Sequence, residues 1–134
     1  MNDRKSYMLF DNFVRCIAVL VLVAAGLKAH ELATRPLPET SWLTSRVSRL
    51  AIVQFELLFS LVLLSRISRR WKGDLAIVCF SVFACFSLFH AISGHASCGC
   101  FGNLDVNPWW TLTLDVFIVG LVFAFHPGLS LIHI

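Results

Sequence analysis

Apolar residues fall in four blocks along the chain, at about residues 13–29, 50–65, 75–92 and 109–125, with polar connections between them. Each block approaches the roughly 20 residues that carry an α-helix across about 30 Å of hydrocarbon. The connections hold residues that interrupt regular structure. Pro36 and Pro38 lie between the first two blocks and forbid helix there. Gly94, Gly99 and Gly102 lie between the last two, and Pro108 is suited to the first turn of a helix. Pro127-Gly128 closes the fourth block. The pattern predicts an all-α integral membrane bundle of four transmembrane helices, one domain over residues 1–134. A cleaved signal peptide competes for the first block, since Arg4 and Lys5 precede it. Lys28-Ala29-His30 is a poor cleavage context, and three further spans follow.

Composition supports the membrane reading. Of 134 residues, 57% are hydrophobic and 14% charged, and the mean hydropathy is +0.77. A soluble domain averages about 45–50% apolar and about 25% charged residues. The formal charge is only +3, and no basic run carries the interleaved aromatics of a nucleic-acid surface. The cations read instead as topology signals. Arg66, Arg69, Arg70 and Lys72 follow the second block against a single Asp74, and Arg4, Lys5 and Arg15 mark the amino-terminal end. Lysine and arginine favour the cytoplasmic side. The 30–48 connection is nearly balanced, with Arg35 and Arg46 against Glu31 and Glu39, and the 93–107 connection has neither lysine nor arginine. Both termini are therefore expected in the cytoplasm, with the 93–107 loop on the extracytoplasmic side. Trp109 and Trp110 then fall at the outer interface, where such residues concentrate.

Two of the five cysteines stand apart. Cys16, Cys79 and Cys85 lie in apolar blocks, where a thiol behaves as a small hydrophobe. Cys98 and Cys100 flank Gly99 in the glycine-rich loop, followed by Phe101 and Gly102. Thiol–disulfide exchange needs an accessible thiol and a resolving thiol close by, and an extracytoplasmic position favours disulfide chemistry. A Cys-x-Cys ring departs from ordinary cystine geometry, so it is expected to reduce easily. Three other readings remain open: a static bridge locking the turn, free thiols in a tight turn, and a metal site. For zinc, two sulfurs need two further ligands, and only His90 and His95 are near in sequence. No metal is expected.

Four ionisable residues sit inside the apolar blocks or at their edges: Lys28, Glu56, His90 and Asp115. Such groups are costly in a membrane and usually face the bundle interior. With the 93–107 loop outside, Glu56 and Asp115 lie roughly 9 Å below the outer surface, with Lys28 and His90 near the outer span ends. All four occupy one slab beneath the cysteine loop. Glu56 shares a helix face with Ser60, and Thr111 with Asp115. Lys28 is expected to neutralise one carboxylate, with His90 and the hydroxyls serving the other. This slab is read as structural or as a proton-handling or ligand site. A stripe of Cys79, Phe83, Phe86 and His90 in the third block is read as packing before quinone binding.

The string Ser97-Cys98-Gly99-Cys100-Phe101-Gly102, followed by Pro108-Trp109-Trp110 and a last span with Asp115, resembles the methylamine utilisation protein MauE family. That family belongs to a wider DoxX-like group of small four-helix membrane proteins, and Glu56 in the second span also fits it. The resemblance implies a membrane partner in the maturation of a periplasmic methylamine dehydrogenase, accompanied by a thioredoxin-like protein. It implies that Cys98 and Cys100 are the redox pair, supported by Gly99, Phe101 and Gly102. The expected function is therefore disulfide exchange with an extracytoplasmic partner, with a quinone in the bilayer as a candidate onward acceptor. A non-catalytic anchoring subunit with a structural Cys-Gly-Cys turn is the alternative. A small transporter built on the Lys28, Glu56 and Asp115 slab ranks last, because four short spans enclose little volume.

Overall fold

The computed structural model describes residues 2–35, 46–94, 99–102 and 104–125. Among these are four helices and no strand: α1 (Asn2–Thr34), α2 (Arg46–Leu64), α3 (Arg69–Ile92) and α4 (Pro108–Phe125). All four are long and apolar enough to cross a membrane.

The helices outrun the apolar blocks at their polar ends. α1 begins at Asn2, where the hydropathy pattern suggested a polar lead, and α3 begins at Arg69, before the block at residue 75. No proline or other breaker interrupts residues 2–12 or 69–74. Their backbone therefore keeps its helical hydrogen bonds beyond the hydrocarbon, where polar side chains meet water at no cost. Arg69, Arg70 and Lys72 thus lie in the first turns of α3, and the connection from α2 shrinks to residues 65–68.

Contacts between helices fix their directions. The start of α3 meets the early part of α1 through Arg69, Asp11 and Tyr7. Late α1 meets the middle of α2 through Lys28 and Glu56, and late α3 meets early α4 through Ser87 and Asp115. Successive helices therefore run antiparallel. α1 lies along α2 and α3 along α4, while α1 and α4 share a narrower seam.

The interior follows from helical spacing. Phe10, Val14, Ile17, Ala18, Val21 and Ala25 form a buried stripe along α1, with the three- and four-residue steps of one helix face. Ala18 and Ala25 are fully covered, and small side chains of this kind let neighbouring backbones approach. Phe59 and Leu63 of α2, Phe80 of α3, and Ile118 and Val122 of α4 complete the core. The rings of Phe59 and Phe80 join the two hairpins at 6.1 Å. The outward faces are apolar as well, with Val23, Leu61, Val82, Phe89 and Phe117 all exposed. Glu56, Ser60, Ser87, Thr111 and Asp115 are instead buried. Apolar residues outside and carboxylates inside suit a hydrocarbon solvent, where polar groups must find partners within the protein.

Candidate functional site

The loop between α3 and α4 is tied to the bundle at one glycine. α3 closes with the Ser93 amide donating to the Phe89 carbonyl at 3.0 Å. Cys98 and His95 lie outside the described residues. From Gly99 the chain makes a tight turn, in which the Gly102 amide donates to the Gly99 carbonyl at 3.2 Å. Cys100 and Phe101 form the corner of this turn and are half-buried. Gly102 has φ +62°, and a Cβ there would stand 3.1 Å from the Leu27 carbonyl group and the Lys28 amide nitrogen. Only glycine meets both conditions, the left-handed backbone and the close approach. The turn carrying Cys100 therefore rests on the α1 backbone at Lys28.

The segment from Gly102 to α4 is short and ordered by its own sequence. Asn107 accepts the Trp109 amide on its Oδ1 at 3.0 Å, serving as the helix N-cap. Pro108 follows in the first turn, where its missing N–H costs nothing. This start fixes the register that buries Thr111 and Asp115 on one face of α4.

Beneath the turn, the Lys28 side chain forms an ion pair with Oε1 of Glu56. The lysine is half-buried and the glutamate buried. Oε2 of Glu56 is also buried and has no hydrogen-bond partner among the described residues. On the other hairpin, the Ser87 hydroxyl donates to Oδ2 of Asp115 at 3.2 Å, with both residues buried. The Ser60 and Thr111 hydroxyls donate to carbonyls of their own helices, at Leu57 and Pro108. His90 lies against aromatic rings, 4.7 Å from the centroid of Phe86 and 5.9 Å from that of Phe89.

The residues singled out in the sequence thus separate into two pairs. Lys28, expected to neutralise one of the two carboxylates, pairs with Glu56. The neighbour identified for Asp115 is Ser87, which the sequence reading did not single out. Its signal was one of two serines in an apolar run, three residues before His90, a position easily taken for lipid-facing filler. The proposed stripe on α3 also divides: Cys79 and Phe83 join the core, while Phe86 turns outward, 51% exposed. No cluster of three or more metal-ligating side chains occurs among the described residues.

The sequence pattern of the family described as methylamine utilisation protein MauE matches residues 8–127, which takes in all but the first turns of α1 and every other helix. This chain belongs to the MauE family. No curated protein and no solved structure matched it. This MauE-family chain is a multi-pass membrane protein, with four apolar helices enclosing a buried polar layer. The Cys-Gly-Cys-Phe-Gly segment, the Lys28–Glu56 pair and the Asp115 face all fall within the matched span.

Proposed function

We propose that this protein is a membrane-embedded thiol–disulfide exchange component, with Cys98 and Cys100 as its redox pair. The observation that carries this reading is the seat of Cys100. Its turn projects from the bundle end yet is anchored by Gly102 to the backbone at Lys28. A half-buried thiol so held can be offered to a partner in a fixed position, with Gly99 and Cys98 adjoining it in sequence.

In the proposed cycle a thiolate of the pair attacks a disulfide sulfur of a soluble partner. The mixed disulfide is resolved by the second thiol, and two electrons pass from the pair to the partner. The reverse direction returns the partner to its disulfide form. The cation-rich segment at residues 66–72 and the loop free of lysine and arginine support an extracytoplasmic orientation for the pair. A thioredoxin-like or disulfide-rich extracytoplasmic protein fits as partner. The family's name points to methylamine utilisation as the setting, and the resemblance noted in the sequence implies maturation of a periplasmic methylamine dehydrogenase as the process served.

The test is trapping in the native membrane. Single Cys98→Ser and Cys100→Ser variants are expected to differ, one accumulating a mixed disulfide and the other not. The double variant should abolish client oxidation while the protein remains at normal abundance. Unchanged client oxidation in the double variant rejects the reading. Lower abundance of the cysteine variants with no redox phenotype supports the anchoring-subunit alternative, which the close seating of Gly102 also favours.

A further inference from the structure

Charge is unevenly divided between the two ends of the bundle. Residues 1–15 and 65–75 hold seven lysines and arginines against three aspartates, whereas residues 93–107 hold Asp105 and no lysine or arginine. Arg69 brings the two basic segments together, since it reaches both Asp11 and Tyr7 of α1. That contact also sets a depth. Successive helices alternate in direction, so α1 and α3 run parallel from this end. Arg15 therefore lies about 6 Å beyond Asp11 toward the middle of the bundle, and Lys72 about 4.5 Å beyond Arg69 in the same sense.

Arg15 breaks the rule that the other intramembrane charges obey. Ionisable groups in a span usually face the bundle interior, as Glu56 and Asp115 do. Arg15 stands inside the first apolar block yet is exposed. It shares its helix face with Met8 and Val19, which are exposed as well. A guanidinium on that face is surrounded by lipid-facing side chains, and its long stem carries it to the headgroup level. Tyr7 and Trp71 mark the same level, both exposed and Trp71 71% so, because amphipathic rings settle at the membrane–water boundary.

We propose that this basic end is a binding surface for anionic phospholipid. The lipid phosphate is taken by Arg15 and Lys72, and Lys5 and Arg66 on the water side select a headgroup of net negative charge. Guanidinium and phosphate pair strongly, and cations beside a membrane attract anionic lipid. Every phospholipid offers a phosphate, but a choline headgroup adds a cation that the surplus positive charge repels. Arg69 is left out of the surface because Asp11 already neutralises it. A soluble acidic protein fits less well, since the surroundings of Arg15 are apolar. The surface is independent of the thiol chemistry proposed above.

The inference is tested by native mass spectrometry of the full-length protein in neutral detergent micelles containing phosphatidylglycerol and phosphatidylcholine in equal amounts. The wild type should retain phosphatidylglycerol preferentially. Arg15→Gln and Lys72→Gln should each lower that preference, by about fivefold per cation removed. The double variant Arg35→Gln/Arg46→Gln removes two cations from the other end of the bundle and should leave the preference unchanged. Equal retention of the two lipids by the wild type overturns the inference. So does an equal loss from variants at either end, which would assign the preference to net charge alone.

A second measurement serves if the variants fail to fold. The wild type alone is compared across a series of ammonium acetate concentrations. A preference set by cations at the headgroup level should fade as salt screens them, and one that holds throughout overturns the inference. Adding a polyglutamate peptide to the wild type separates the remaining class of partner. Retention of the peptide in place of phosphatidylglycerol would assign the surface to an acidic protein and overturn the lipid assignment, whereas retained lipid upholds it.

Discussion

The two ends of the bundle each carry an ion pair, and the pairs are built on opposite principles. At the basic end, Nε and Nη2 of Arg69 on α3 reach both carboxylate oxygens of Asp11 on α1, at 3.1 and 2.9 Å. The guanidinium also lies 5.0 Å from the centroid of the Tyr7 ring. Both charged side chains stay well exposed, at 43% and 36%. At the loop end, Lys28 and Glu56 are 15% and 7% exposed, and only one carboxylate oxygen is engaged. The geometrically complete pair is the one that water can replace. The incomplete pair is the more deeply buried one. An interhelix staple needs good geometry and little burial, as at Arg69. Burying a pair with an oxygen left over is a poor way to gain stability, since desolvation can exceed the Coulombic gain. This contrast directs functional attention to Lys28 and Glu56.

The sharpest way to test the contrast is to break the buried pair. Lys28→Met leaves a lone buried carboxylate, and removal of one partner from such a pair typically costs about 3–5 kcal/mol. The double variant Lys28→Met/Glu56→Leu removes both charges and should recover most of that loss, ending near wild type. Thermal unfolding in a mild detergent reads both effects. If the double variant is as unstable as the single one, the pair is a structural necessity.

How much of this was legible in the chain depends on which physical rule governs each part. The four spans are written in hydropathy, because a bilayer demands long apolar runs, and the helices follow them closely on their hydrophobic sides. The polar extensions of α1 and α3 were hidden, because hydropathy marks where hydrocarbon ends and not where hydrogen-bonded helix ends. The intramembrane ionisable residues announced themselves by their cost, and charge and depth called for Lys28 to meet a carboxylate without choosing between Glu56 and Asp115. Ser87 beside Asp115 was not legible, since a serine within an apolar run carries no depth or rotational label of its own. The seat of Gly102 on Leu27 and Lys28 was equally hidden. The glycine was visible as a turn residue, but its neighbour lies about 75 positions earlier in the chain and no periodicity connects them.

That seat gives the intermediate prediction. Gly102→Ala must place a methyl 3.1 Å from the α1 backbone while holding φ at +62°. A left-handed backbone costs a non-glycine residue about 1–2 kcal/mol, and backbone atoms of a buried helix cannot move aside as a side chain can. The loop should lift from α1, with a stability loss of about 1–2 kcal/mol. Cys100 should alkylate faster, because its turn is no longer held against the helix. An unchanged labelling profile would show that the docked position of the turn has no bearing on the thiol.

The smallest effect belongs to the basic end. An exposed pair gains little, because water and salt screen it and two long side chains must be held in place, so Arg69→Ala is expected to cost less than about 1 kcal/mol. Bidentate geometry and the Tyr7 ring put it toward the upper part of that range. The contribution should fade in high salt, where the screening length drops to about 3 Å at 1 M. The Lys28–Glu56 contribution should hold in the same buffer, because ions do not enter its surroundings. Measuring both variants across a salt series compares the two ends directly. Equal salt sensitivity would mean that water and ions reach Glu56 as freely as they reach Asp11, and the contrast between the two ends would fall.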